Sequence, residues 1–154
     1  MSKNPIKNNL VIELHVPDFE VVKNFYGALG FEIIMEHVVT ENTPGYLVMQ
    51  RSDELGATMI NFYGGNDLVY NQSYFKNFPN TTQCGYGVEV TVPVADLDVF
   101  YDSIKDKIKD NILQAITIKH DQEMEWRDIR IADPFGFYLR FTELIDWGQK
   151  RSSS

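Results

Sequence analysis

The sequence predicts an α+β fold made of two copies of one unit: a strand, a helix and three further strands. Two observations carry this reading. The chain reads Val11-Ile12-Glu13-Leu14-His15-Val16-Pro17 near its start and Gly87-Val88-Glu89-Val90-Thr91-Val92-Pro93 near its middle. Each stretch leads through an aspartate, Asp18 or Asp96, into an amphipathic run. Each run is then followed by apolar segments rich in β-formers, the last of which opens on a glycine, Gly56 or Gly136. An internal repeat outranks any local motif, and this period is too long for a solenoid. Two such copies predict half-modules that share a sheet and enclose a cleft.

Strand one is expected over Leu10 to Val16, where Leu10, Ile12, Leu14 and Val16 alternate with Val11, Glu13 and His15. Asp18 is a natural helix N-cap. Phe19, Val22, Phe25, Tyr26 and Leu29 then recur at helical spacing, and Gly30 ends the run. Phe31 to Thr40, Tyr46 to Arg51 and Thr58 to Tyr63 read as strands, separated by Thr43-Pro44-Gly45 and Glu54-Leu55-Gly56. Gly64 to Cys84 has no period and is read as a linker. Its aromatics Tyr70, Tyr74, Phe75 and Phe78 imply packing against a partner subunit or at the mouth of a cleft. The second unit repeats the order. A strand covers Gly87 to Val92 and a helix Asp96 to Lys109, with Leu97, Phe100, Ile104 and Ile108 on one face. Strands follow at Ile112 to Lys119, Trp126 to Ala132 and Phe137 to Glu143, the last two joined by the turn Asp133-Pro134-Phe135-Gly136. The expected organisation is a first module at 9–63, the linker at 64–84, a second module at 85–145 and a frayed tail at 146–154.

Composition narrows the function classes. At 154 residues, 44% hydrophobic and 23% charged, the chain can bury a sizeable core. No apolar stretch approaches the roughly 20 residues that span a bilayer, and the N-terminus lacks the apolar core of a signal peptide. Cys84 is the only cysteine, which excludes an intrachain disulfide and fits a reducing cytoplasm. The net charge of −8 argues against nucleic acid as a partner and is compatible with cationic ligands.

Three segments carry a family resemblance: HVPDFEVVKNFYGALGFEI (His15 to Ile33), GVEVTVPVADLDVFYDSI (Gly87 to Ile104) and WRDIRIADPFGFYLRF (Trp126 to Phe141). In this order and spacing they resemble the vicinal oxygen chelate superfamily of glyoxalase I, bleomycin-resistance proteins and extradiol dioxygenases. The resemblance covers about residues 9 to 145. It implies two βαβββ modules whose curled mixed sheet surrounds a concave cavity, and commonly a homodimer. It also implies four positions that hold a divalent ion in the metal-dependent members, two on first strands and two on last strands. Counted from the Val-Pro pairs, these fall on Val11 and Gly87, near Asn61 and on Arg140. Valine and glycine offer no donor and arginine repels a cation. Shifting the register by one residue brings in no usual ligand, only the Tyr86 phenol.

Other candidate chemistry is sparser. His15 and Glu13 lie two apart on one strand face, a spacing that suits a metal or general-base pair as well as a polar pocket lining. His37 and His120 fall at strand ends, where surface positions are expected. Glu13 and Glu89 occupy matching repeat positions. They can converge on a cationic ligand, or pair structurally with Arg130 or Arg140. No phosphate loop, Ser-His-Asp set or cysteine cluster stands out. Strand alternation puts Leu14, Val90, Ile129 and Leu139 against the helices. The expected pocket is therefore lined by Glu13, His15, Asn61, Glu89, Thr91, Trp126, Asp128, Arg130, Tyr138 and Arg140. The leading expectation is a bleomycin-resistance-like protein that sequesters a small molecule, cationic or aromatic, without metal or other cofactor and without catalysis. The alternative is a lyase, isomerase or dioxygenase of the same superfamily using His15, Glu13 and Glu89. A further alternative is an interaction module without a small ligand.

Overall fold

The computed structural model describes residues 10–121 and 124–144; the expected lead-in at 1–8 and tail at 146–154 lie outside them. The chain forms β1 (Glu13–Val16), α1 (Phe19–Ala28), β2 (Glu32–His37), β3 (Gly45–Asp53) and β4 (Gly56–Gly64). Two short 3-10 turns, Asp67–Asn71 and Phe75–Asn77, occupy the linker. Then come β5 (Glu89–Pro93), α2 (Leu97–Ile104), a 3-10 turn (Lys109–Asn111), β6 (Ile112–Asp121), β7 (Met124–Ala132) and β8 (Tyr138–Leu144). Two βαβββ modules are present, each with its own four-stranded mixed sheet, ordered β1-β4-β3-β2 and β5-β8-β7-β6. The first and last strands of each module pair in parallel. The remaining neighbours are antiparallel.

Each sheet buries one face beneath a helix. Leu14, Val16, Leu47, Met49, Ile60 and Phe62 of the first sheet share one core with Val90, Val92, Ile129, Ile131, Leu139 and Phe141 of the second. Phe19, Val22, Phe25 and Tyr26 of α1 and Leu97, Phe100 and Ile104 of α2 close it. Asp18 caps α1 by accepting from the amides of Glu20 and Val21, and Asp96 caps α2 by accepting from Val99.

β1, β2, β5 and α2 are shorter than the sequence implies. Upstream of Glu13 the Ile12 carbonyl accepts from the Asn61 amide of β4, and Leu10 and Val11 stand exposed. The second helix stops at Ile104 although Ile108 remains buried. There the chain turns, and the Asn111 side chain donates to the Ala132 carbonyl at the entry to β6.

The modules are clasped reciprocally. The turns Asp53-x-x-Gly56 and Asp133-x-x-Gly136 are equivalent in the two repeats. Both glycines have positive φ, +133° and +101°, a region that disfavours side chains. Asp53 accepts from its own turn at Leu55 and reaches across to the Ala95 amide at 2.9 Å, just before α2. Asp133 accepts from Phe135 and Phe137 in its own turn and from the Tyr26 hydroxyl of α1 at 2.9 Å. Arg51 pairs with Asp53 and lies over the Phe100 ring, adding a third contact across the joint.

The two carboxylates respond to pH in opposite ways. Burial pushes Asp53 up, but Arg51 and the Ala95 and Leu55 amides outweigh it, and its pKa falls below the ordinary value. Its contribution is present at neutral pH and is lost as pH falls through that lowered pKa. Burial pushes Asp133 up and its hydrogen bonds only partly offset this, so its contribution is present in acid and fades as pH rises through the raised pKa. We expect Asp53→Ala to cost about 1–3 kcal/mol at pH 7, measured by urea unfolding, with the gap narrowing below about pH 4. A gap constant with pH would show that the carboxylate charge plays no part.

Candidate functional site

The faces turned away from the helices carry the polar residues that alternation assigns to them. On the first sheet, Glu13 lies beside Asn61 and His15 beside Tyr63, with Val48 and Tyr46 next across on β3. His15 Nε2 lies 3.0 Å from Glu13 Oε1. Asn61 donates to the Tyr46 hydroxyl at 2.7 Å. Burial, then the Glu13 carboxylate, push the Tyr46 phenol up, and the Asn61 bond offsets only part of this. The His15 ring also packs on Tyr63 and, edge-on, on Phe75 of the linker, with centroids 4.8 and 4.9 Å away.

On the second sheet, Glu89, Thr91, Asp128, Arg130, Tyr138 and Arg140 form one network. Asp128 is fully buried and accepts from Arg130 at 3.0 Å and Gln114 at 3.3 Å, with Arg140 Nε at 3.2 Å. Glu89 pairs with Arg130, with Arg140 at 3.4 Å, and accepts from Thr91 at 3.1 Å. Tyr138 presents its ring to the Arg130 guanidinium and its hydroxyl at 3.5 Å. Burial pushes Glu89 up, yet Thr91 and the two arginines outweigh it and its pKa is lowered. Two carboxylates and two guanidinium groups leave the network without net charge. Trp126 sits farther along β7, its indole N–H buried with no hydrogen-bond partner among the described residues.

The ten residues expected in one pocket thus fall into two sets. Glu13, His15 and Asn61 stand on the first sheet, the other seven on the second. Among the described residues, no hydrogen bond or ion pair joins the sets. Strand pairing also refines the repeat correspondence: His15 is paired with Tyr63 as Thr91 is with Arg140, so Tyr63, not Asn61, matches Arg140. Among the described residues no group of three or more His, Cys, Asp or Glu side chains converges as a metal site would require.

A cavity of about 590 Å³ is lined by Glu13 and His15 of the first set and by none of the second. Its floor includes Glu13, His15 and Pro17 of β1 and the residue after it. Its roof is the linker, which brings Val69, Tyr70, Tyr74, Phe75 and Phe78 and then Pro79 to Tyr86. Phe135 and Phe137, from the turn that Asp133 organises, supply the third wall. The linker is pinned at its entry. The Gly65 amide bonds the Val16 carbonyl, Asn66 donates to the Thr40 and Thr43 carbonyls, and a Cβ on Gly64 would meet Val16 O at 2.4 Å. Cys84, a free thiol, lines the same space. Burial and then the nearby Asp133 carboxylate push it up, away from the reactive thiolate. The linker and turn aromatics were absent from the expected pocket. Their composition signalled packing, but no period in the linker said onto what.

No family model and no curated protein sequence matches the chain. Solved structures do. A bleomycin-binding protein complexed with bleomycin aligns with a TM-score of 0.52 at 21% identity, over 89% of this chain and 98% of that one. A glyoxalase family protein from Enterococcus faecalis gives 0.58 at 18%, over 89% and 98%. A bleomycin resistance determinant encoded on the transposon Tn5 gives 0.53 at 21%, over 91% and 100%. The chain therefore has the glyoxalase and bleomycin-resistance fold, as its three motif segments imply.

The network on the second sheet should be felt in stability. Removing Asp128 leaves two largely buried guanidinium groups without their shared acceptor, so Asp128→Ala should cost about 3–5 kcal/mol in urea unfolding. Glu89→Gln, at a carboxylate one-third exposed, should cost about 1 kcal/mol or less.

Proposed function

We propose that this chain binds a small organic molecule and sequesters it without transforming it. The observation that carries this reading is the cavity beneath the linker. Its volume lies within the roughly 300–1,000 Å³ usual for small-molecule sites, and its walls are mostly apolar and aromatic with a few polar groups, as such sites require. The fold shared with bleomycin-binding proteins supports the same reading, though fold alone does not assign function. The side chains at the family's metal positions support binding over metal-dependent chemistry: Val11, Tyr63, Gly87 and Arg140 supply one phenol oxygen between them. The superfamily's enzymatic alternative would need His15, Glu13 and Glu89 together, and Glu89 is held by Thr91 and two arginines on the other sheet.

The functional unit we propose is a homodimer. β2 is an outer edge strand exposed along its whole length, and Ile33, Ile34 and Met35 on it, with Val38 beyond, present apolar surface that a second copy would cover. Among the described residues no helix is long and apolar enough to cross a membrane, and the lone free cysteine fits the reducing cytoplasm proposed as its location.

Three measurements test this reading. A thermal-shift screen over aromatic metabolites and amines should find compounds that raise the apparent stability, since a ligand of the folded state does so by mass action. Elemental analysis should find no stoichiometric divalent metal, and one tightly held ion per chain would overturn the metal-free assignment. Light scattering at micromolar concentration should give twice the chain mass of 17.8 kDa, whereas a single chain mass would remove the dimer.

A further inference from the structure

The two repeats place a glutamate at the same position, Glu13 and Glu89, and treat it differently. Glu89 is matched by two permanent cations, Arg130 and Arg140. Glu13 has His15 and the Tyr46 phenol as polar partners, and among the described residues no lysine or arginine pairs with it. Among the described residues that line the cavity, Glu13 is the one acid, and no lysine or arginine accompanies it. The same cavity is lined by rings from the linker, with Tyr74 5.4 Å from Phe75 and 5.5 Å from Phe78 between centroids, and by Phe137 of the turn. Those linker rings stand largely exposed, at 62%, 42% and 46%. Rings that pack on one another yet stay this exposed present apolar faces that a bound ligand can cover.

A carboxylate without a permanent counter-ion, under aromatic faces and with no competing cation, is the composition that recognises an organic ammonium group. Ring faces attract a cation through their quadrupole, and the carboxylate supplies the opposite charge. Resting on the binding function proposed above, we infer that the linker cavity is selective for a singly charged organic cation. In this assignment Glu13 is its counter-ion and the linker rings form a cage around the ammonium head. His15 is then the resident hydrogen-bond partner of Glu13, which the incoming cation displaces or joins. The second sheet, charge-balanced by its own network, takes no part in charge selection.

The test is a pair of isosteric probes, phenyltrimethylammonium and neutral tert-butylbenzene, titrated against the intact protein by ligand-observed NMR. The cation should bind about tenfold more tightly or better. Glu13→Gln should remove most of that advantage. Asp102→Asn, which removes the same unit of charge from an exposed helix position paired with Lys105, should leave it intact. Phe78→Leu keeps apolar bulk without a ring face, and should weaken the cation about threefold or more while sparing the neutral probe. Circular dichroism of each variant confirms that it is folded. Equal binding of the two probes, or an advantage that survives Glu13→Gln, would overturn the charge selection while leaving small-molecule binding in place. Failure of both probes to bind would overturn the cage, and the library screen would then decide separately whether the cavity binds anything.

Discussion

Two aspartates, Asp53 and Asp133, hold the halves of this molecule to each other, and the position of everything else follows from them. Each sits at the start of an equivalent turn between the last two strands of its module. Each satisfies its own turn and spends a second oxygen on the opposite module: Asp53 on the Ala95 amide, Asp133 on the Tyr26 hydroxyl. Such bonds are net-favourable only when the donor would otherwise be buried without a partner. Here the donors are a backbone N–H in the lead-in to a helix and a fully buried phenol, so the clasp is demanded by the same burial that creates the shared core. Without it, the helices would cover two separate small cores, each too small to be robust alone.

The clasp also builds the cavity wall. Asp133 accepts from the amides of Phe135 and Phe137, and thereby fixes the two rings that face Glu13 and His15 across the cavity. The linker completes the enclosure because its entry is anchored at Gly64 and Gly65, where close neighbours leave no room for a side chain, and at Asn66, whose side chain bonds the Thr40 and Thr43 carbonyls. A cavity assembled from β1, the linker and the opposite module's turn is thus a consequence of how the halves dock.

The repeats share a backbone plan and diverge in their open faces. In the second module arginines on β7 and β8 close a neutral network over the buried Asp128. In the first, the positions matching Arg130 and Arg140 carry Tyr46 and Tyr63, so among the described residues Glu13 has no arginine paired with it. The two halves can diverge in this way because charge pairing in one sheet imposes nothing on the other.

Much of the fold was legible in the sequence because it depends on local periodicity. Alternation in β1, β5, β7 and β8 identified Leu14, Val90, Ile129 and Leu139 as core-facing, and their neighbours as residues of the open faces. The Asp caps, the glycine-led last strands and the strand–helix–strand repeat are likewise short-range signals, set by side-chain direction and by hydrogen bonds within a few residues. Glu13, His15 and Asn61 were placed on one face for the same reason. Only tertiary structure decided that these three lie apart from the seven residues of the second sheet, that Glu89 is neutralised by Arg130 and Arg140, and that the aperiodic linker roofs a cavity with Phe135 and Phe137. These are relations between segments some 40 to 120 residues apart. Periodicity reports which way a side chain faces. What it meets there depends on how the two modules dock and where the linker is pinned, and neither leaves a trace in the spacing of residues.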